Sequence, residues 1–455
     1  MRRLTPGKWP KICMTVLVLG SLARDGEGAD SSSWKIAGSV RMRQEVLDQQ
    51  FRPGFNEDQS LFSMRSTLLA EWKQGNWRLG GEMYDSRAYG ADTADVLTSG
   101  EVNAFEFVQA YAVRNFPDAF GHDTSASVQA GRFTMNLGSR RLVAADDYRN
   151  TTNGYTGLRA DFTLHNKTAV TAFYTLPQER RPDDPASLRD NSIQLDHESL
   201  DLQLWGLLVA KPGLPGRLTA DASYVGLAES DEPDRPTRNR NLSSFSGRII
   251  RDPKPGEFDY EAEGIVQTGR IRASIATNAA MQDVSAWFVH ADAGRTLDAK
   301  GQPRLSLEYD YATGDDSSAS YGRFDTLFGM RRADLAPSSI YMLLGRTNLQ
   351  SLGLRFEATP TPRVDGFGVF RAIWAASATD QFSTSGVRDP SGASGRFGGY
   401  QFDARVRYWV IPQTLRAEFN GDWLLKRGVL RDAPNATPYG NTLFLSFALI
   451  ASFGR

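Results

Sequence analysis

Apolar side chains recur at every second position along most of the chain, and charged or polar side chains fill the alternate positions. Trp34, Ile36, Val40 and Met42 alternate with Lys35, Ser39, Arg41 and Arg43. Tyr400, Phe402, Val406 and Tyr408 alternate with Gln401, Asp403, Arg405 and Arg407, and Leu415, Phe419, Trp423 and Leu425 with Arg416, Glu418, Asn420 and Asp422. A period of two belongs to extended strands, whose successive side chains project to opposite faces. Runs of this kind predict 18 strands, at 34–47, 60–73, 76–87, 103–115, 125–134, 154–164, 167–175, 199–211, 216–227, 240–250, 257–271, 282–297, 303–314, 347–359, 363–377, 397–411, 414–427 and 441–453. Most reach the roughly 9–11 residues that a tilted strand needs to cross a bilayer.

The connections alternate in length. Gln74-Gly75, His165-Asn166, Pro212 to Pro215, Asp298 to Gln302, Pro360 to Pro362 and Pro412-Gln413 are short. Between them lie long segments at 88–102, 135–153, 176–198, 228–239, 315–346, 378–396 and 428–440, rich in Asp, Arg, Ser, Gly and Pro. Tight turns at one end and long loops at the other are the plan of an all-β, up-and-down antiparallel barrel in the bacterial outer membrane. The even strand count returns both termini to the periplasmic side. Aromatics near strand ends (Trp34, Trp72, Trp77, Phe258, Tyr309, Trp374, Tyr408 and Trp423) suit the two interfacial girdles.

Composition agrees. Hydrophobic residues are 40% of the 455, and mean hydropathy is -0.41. No apolar stretch is long enough for a transmembrane helix, whereas a barrel needs only alternate residues to face lipid. The formal net charge of -1 gives no reason to expect nucleic acid. Residues 1–23 read as a signal peptide whose cut could extend to 29: Arg2, Arg3, Lys8 and Lys11 precede an apolar run from Ile12 to Leu22. A short segment, 24–33, would lead into a barrel over 34–455. The single cysteine, Cys13, falls in the signal region, so a mature chain would have no disulfide or thiol chemistry.

Of the 52 basic residues 43 are Arg, the side chain suited to fork-like binding of carboxylates. Strand parity turns Lys35, Arg41, Arg43, Arg65, Arg159, Arg355, Arg405, Arg407 and Arg416 inward. Arg132, Arg140 and Arg141 fall at or just beyond a strand end, and the loop after them is a candidate constriction. The pairs Arg140-Arg141 and Arg331-Arg332 could bind carboxylates. Glu71, Asp161, Glu261, Glu263, Glu308, Asp310, Asp403, Glu418 and Asp422 share the inner face, so many of these Arg are expected to pair within the wall. Catalysis is poorly supported. Of four His only His290 lies within a strand, and HExxH, GxSxG and P-loop motifs are missing. Asp183-Asp184 and Asp315-Asp316 read as solvated loop charge rather than Ca²⁺ ligands. No enzyme, metal or cofactor is expected.

Two segments resemble the alginate-export porin family. In the first, Gly131-Arg132, Asn136-Leu137-Gly138, Arg141-Leu142-Val143, Arg149-Asn150 and Tyr155-Thr156-Gly157-Leu158-Arg159 follow the family's pattern in order. In the second, Tyr309 to Asp316 runs into Phe324-Asp325-Thr326-Leu327-Phe328. The family often carries a His after that motif, where this chain has Arg331-Arg332. The resemblance implies an 18-stranded barrel and an Arg-rich pore passing an anionic polysaccharide such as alginate. Uptake of small anionic or aromatic solutes is the alternative reading, and an outer-membrane enzyme or adhesin a third. The expected partners are outer-membrane lipid and lipopolysaccharide, the anionic solute and a periplasmic export protein, around a monomeric barrel.

Overall fold

The computed structural model describes residues 32–232, 235–316, 320–332 and 334–454. The signal-peptide reading of 1–23 lies outside them. All 18 expected strands form: β1 (Ser32–Asp48), β2 (Gln59–Gln74), β3 (Trp77–Tyr89), β4 (Asn103–Pro117), β5 (Ser125–Phe133), β6 (Tyr155–Thr163), β7 (Ala169–Pro177), β8 (Leu202–Leu214), β9 (Leu218–Glu229), β10 (Asn241–Arg251), β11 (Phe258–Arg272), β12 (Met281–Thr296), β13 (Arg304–Ala312), β14 (Leu349–Thr361), β15 (Val364–Trp374), β16 (Phe397–Ile411), β17 (Leu415–Lys426) and β18 (Thr442–Phe453). Each pairs antiparallel with its sequence neighbour, and β18 pairs back onto β1 from Gly38↔Phe453 to Asp48↔Leu443. The sheet is therefore a closed barrel, and closure leaves no strand edge unpaired in lipid. Two short helices, α1 (Pro185–Arg189) and α2 (Val429–Asp432), sit in long loops. Asp184 caps α1 by accepting from the N–H groups of Ala186 and Ser187.

The parity of β18 shows the principle. Leu443, Leu445, Phe447, Leu449 and Phe453 are exposed on the outside, while Phe444, Ser446 and Ala448 are buried inside. Because Phe447 lies mid-strand on the lipid face, Phe447→Arg is expected to destabilise the barrel by about 2–4 kcal/mol. Urea unfolding in phospholipid vesicles measures this, and an unchanged midpoint would contradict the outward assignment.

The main departures from the expected boundaries lie at β8, which runs Leu202–Leu214 rather than 199–211, and at the ends of β13 and β15. β13 stops at Ala312 rather than 314, and β15 at Trp374 rather than 377. Asn348 explains the second, because its side chain accepts from Ser377 N–H and donates to the carbonyls of Ser377 and Gln381. That side-chain clasp takes the place of ladder bonds and lets the chain peel off the wall.

Buried apolar residues gather inside the outer half of the barrel. One cluster joins Phe51, Leu335, Ile340, Tyr341, Phe382 and Phe444, and another Phe133, Leu142, Val143, Tyr155, Phe288 and Phe324. Both mix wall residues with residues from long loops. The apolar core is thus built from loops folded inward against the wall.

Candidate pore constriction

Two loops meet across the lumen. Loop 134–154 is held at one end by β1, where Arg41 donates to the carbonyls of Asp147 (3.1 Å), Tyr148 (3.3 Å) and Arg149 (2.5 Å), and Arg43 to Tyr148 (2.8 Å). At its other end Arg141 bonds Glu261 (2.6 Å) and Glu263 (2.5 Å) of β11. β1 and β11 stand nearly opposite in the ring, so this loop must cross the interior. Loop 313–348 docks on it through Phe328 N–H to Leu142 O (3.0 Å), Ala144 N–H to Phe328 O (3.1 Å) and Met330 N–H to Arg140 O (3.0 Å). The approach requires glycine at 329, where a Cβ would lie 1.9 Å from the Arg141 carbonyl oxygen. Buried ion pairs lock the junction. Asp334 accepts from Arg141 (2.8 and 2.9 Å) and from Arg346, and Arg332 bonds Asp403 (2.7 Å) and Asn420 (2.8 Å).

Most of the Arg residues singled out by parity are engaged by the protein itself. Arg41 and Arg43 hold the loop backbone, and Arg65 shares that task with longer contacts to Asp147 and Arg149 carbonyls (both 3.4 Å). Arg159 pairs with Asp161 (2.8 Å), Arg355 with Glu357 (3.1 Å) and Glu308 (3.4 Å), Arg407 with Asp365 (2.6 Å) and Arg416 with Glu418 (3.4 Å). Arg405 lies 4.0 Å from Asp365. Arg140 turns the chain with φ of 65° and offers its carbonyl to Met330. Arg132 lies at the end of β5, as expected. It alternates with the fully buried Phe133, which puts it on the strand face of exposed Val128, and it clamps Glu106 (2.7 Å) and Glu198 (2.6 Å). Its role is to tie loop 178–201 to β4. The expected carboxylate-binding pairs split: Arg141 and Arg332 are saturated by protein acids, whereas Arg331 is not.

A cavity of about 350 Å³ opens on the outer side of this junction, walled by Arg149, Arg180, Arg235, Arg240 and Arg331 with Asp146, Glu179, Asp183 and Glu229. The acids are already committed. Asp146 holds Arg149 (3.2 Å), Glu229 holds Arg240 (2.6 Å), Asp183 holds Arg181 (2.7 Å), and Glu179 pairs with Arg235. Among the described residues Arg180 bonds neutral oxygens, of Ser99 (3.0 Å), Thr152 (3.4 Å) and Asn153 (2.7 Å). Arg331 keeps a buried Nη1 without a hydrogen-bond partner among the described residues. Burial, with Arg149 alongside, pushes the Arg180 guanidinium down to about 9, and burial, partly offset by Asp146, pushes that of Arg331 down to about 10. Both remain cationic at neutral pH and favour an incoming negative charge. Arg180 has no alternation to mark it, but Arg180-Arg181 is an adjacent Arg pair in a long loop like Arg331-Arg332, and that signal could have found it.

Asp196, buried at the rim, fastens loop 178–201. Its carboxylate accepts from Arg181 N–H (2.9 Å) and Asn103 Nδ2 (2.7 Å), and its own N–H donates to Glu106 (2.6 Å). Burial and then Glu106 raise its carboxyl to about 7. A raised carboxyl stabilises the folded loop most below the ordinary Asp range and loses that contribution as pH climbs through about 7. The loop is therefore expected to loosen between pH 6 and pH 8, and Asp196→Asn to abolish that change while keeping both acceptor contacts. A nitroxide at Ser192 reports it, and equal pH dependence in both proteins would refute the assignment. Among the described residues no group of three or more His, Cys, Asp or Glu could hold a metal ion.

Known proteins agree with this architecture. No curated protein sequence matches the chain. Among solved structures, OpdK of Pseudomonas aeruginosa superposes with a TM-score of 0.58 at 10% identity, covering 92% of this chain and 99% of that one. A BenF-like porin of Pseudomonas fluorescens gives 0.58 at 11% identity over 92% and 99%. OccK2 (OpdF) of P. aeruginosa, crystallised with glucuronate, gives 0.56 at 10% over 92% and 96%. At such identities the likeness is one of fold. The alginate export family model, in contrast, matches residues 33–428. That span covers the barrel and both in-folded loops as far as β17, and it identifies the chain as a member of the alginate export family, an outer-membrane channel of the bacterial envelope.

Proposed function

We propose that the channel passes carboxylated saccharides, with a polyuronate such as alginate as its solute. The observation that supports this is the pair Arg180 and Arg331, two guanidinium groups at the lumen junction that make no ion pair with an acid among the described residues, Asp146 attracting both only at longer range. A carboxylate that sheds water in a narrow passage needs fixed donors to replace it, and a guanidinium fork supplies two at once. Arg141, Arg332 and Arg346 are neutralised by buried acids and serve to hold the loops, which keeps Arg180 and Arg331 in place.

A second reading, uptake of a single small anion, is favoured by the size of the outer cavity. About 350 Å³ lies near the lower end of small-ligand sites and suits one ring better than a polymer segment. OpdK has been crystallised with vanillate and OccK2 with glucuronate, both single-ring carboxylates. Planar-bilayer recording separates the readings. Oligouronates are expected to interrupt the current more strongly and for longer than glucuronate, and neutral oligosaccharides of equal length not at all. Block by glucuronate equal to that by oligouronates would favour small-anion uptake. Equal block by neutral chains would remove the charge argument altogether.

A further inference from the structure

Below the junction, the short turns and lower strand ends from β10 to β16 enclose a second cavity of about 420 Å³. Pro253 and Pro255 come from the β10–β11 turn, Phe367 from β15, and Arg304, Arg405 and Arg407 line the remainder. Because short connections form its rim, it faces the periplasmic mouth. Two of its cations are committed. Arg304 bonds Asp259 and Asp292 and lies 3.3 Å from Glu357, and Arg407 donates to Asp365 (2.7 Å).

Arg405 differs. Asp365, already held by Arg407, is 4.0 Å from it, and its buried Nε has no hydrogen-bond partner among the described residues. Its guanidinium lies 4.8 Å above the Phe367 ring, on which Arg355 (4.1 Å) and Arg332 (5.0 Å) also converge. An aromatic face attracts a cation but leaves its charge in place. Arg405 is thus held in position by packing and partly exposed to the cavity, and the acids near it, Asp365 and Glu418, are held more closely by Arg407 (2.6 Å) and Arg416 (3.4 Å).

We propose that this cavity is a second carboxylate-binding station, separate from the junction, which receives a uronate ring from the periplasmic side. Arg405 takes the carboxylate, and Pro253 and Pro255 offer an apolar surface to the C–H face of the sugar. A solute moving through the barrel then exchanges one fixed guanidinium site for another, with the loop junction between them. The proposal rests on the carboxylated-saccharide reading and adds a location and a side to it.

The test is sided block of the purified channel in planar bilayers, with glucuronate as probe and glucose as control. Wild type is expected to be blocked from both sides. Arg405→Gln should weaken block from the short-turn side by about ten-fold while leaving long-loop-side block within about two-fold, and Arg331→Gln should weaken long-loop-side block. Unchanged short-turn-side block in Arg405→Gln, or equal weakening from both sides, would overturn the second station. Wild-type block from the long-loop side alone would also overturn it and leave the solute reading standing, whereas no block from either side would end both. Should Arg405→Gln fail to fold, judged by heat-modifiable electrophoretic mobility, Arg405→Lys replaces it. Lysine keeps the charge and loses the fork, so intermediate weakening on the same side is expected, and none would overturn the proposal.

Discussion

Replacing Arg331 by Glu is expected to shift the channel's ionic preference towards cations. The substitution exchanges a positive for a negative charge at the loop junction, a change of two units. For a monovalent ion ~10 Å away in water, two units amount to about 0.8 kcal/mol before screening. Cations gain and anions lose by the same amount, so the effects multiply in the permeability ratio. Screening over a Debye length of ~30 Å in 10 mM salt leaves a change of roughly eight-fold, and ~10 Å in 0.1 M salt reduces it to roughly three-fold. Reversal potentials in a salt gradient read the ratio directly, and the dependence on ionic strength distinguishes a field effect from a steric one. Arg332→Gln should act differently although it is the neighbouring residue. Arg332 already faces Asp403 at 2.7 Å, so its removal mainly frees a buried carboxylate and weakens the seat of the loop. A reversal potential unmoved by Arg331→Glu would place the conducting path away from the outer cavity.

That contrast between adjacent arginines shows where the sequence stops being informative. Which face of a strand meets lipid is a local property with a period of two. Leu443 to Phe453 outside and Asp403, Arg405 and Arg407 inside were readable without any partner. The strand number and the alternation of short and long connections were legible for the same reason. The destination of a long loop is not local. Arg41 and Arg43 were placed on the inner face, yet the carbonyls they hold lie more than 100 residues along the chain. Parity says which way a side chain points and nothing about what fills the space ahead of it. Arg132 was legible as a strand-end residue, but its partners Glu106 and Glu198 were not, because one lies across the sheet and the other in a loop. Arg180 lies in an irregular loop with no periodicity to mark it, although Arg180-Arg181 repeats the paired-Arg pattern of Arg331-Arg332. The acids that neutralise Arg141 were noted as inward residues of β11, and only the fold shows that a loop leaving β5 arrives opposite them.

Replacing Asp334 by Asn should release loop 313–348 and enlarge the conductance. Asp334 lies between Arg141 and Arg346, and the Asp334 backbone carbonyl accepts from Arg371 (2.9 Å). Burial alone would raise its carboxyl, but Arg141, Arg346 and His290 together hold it well below the usual range. A depressed carboxyl contributes stability above its unfolded range and loses it only as pH falls through the folded value, so mild acid should not unlock the wild-type loop. The amide substitution removes that charge at every pH. Arg141 retains Glu261 and Glu263, whereas Arg346, fully buried, is left with the Met330 carbonyl (2.7 Å) and the Phe288 ring (5.9 Å), neither of them an anion. Breaking one side of a buried ion pair costs on the order of 3–5 kcal/mol, because the remaining charge is uncompensated. The loop can avoid that cost by carrying Arg346 out to water, which unseats the junction it shares with loop 134–154. Asp334→Asn is therefore expected to raise single-channel conductance and to expose the loop to trypsin. Asp334→Asn with Arg346→Met should reverse much of both changes, because the orphaned cation is gone. A non-additive double-mutant cycle would show that the two groups act as a pair, and additive effects, or a conductance unchanged by Asp334→Asn, would mean that apolar packing of Leu335, Ile340 and Tyr341 holds the loop by itself.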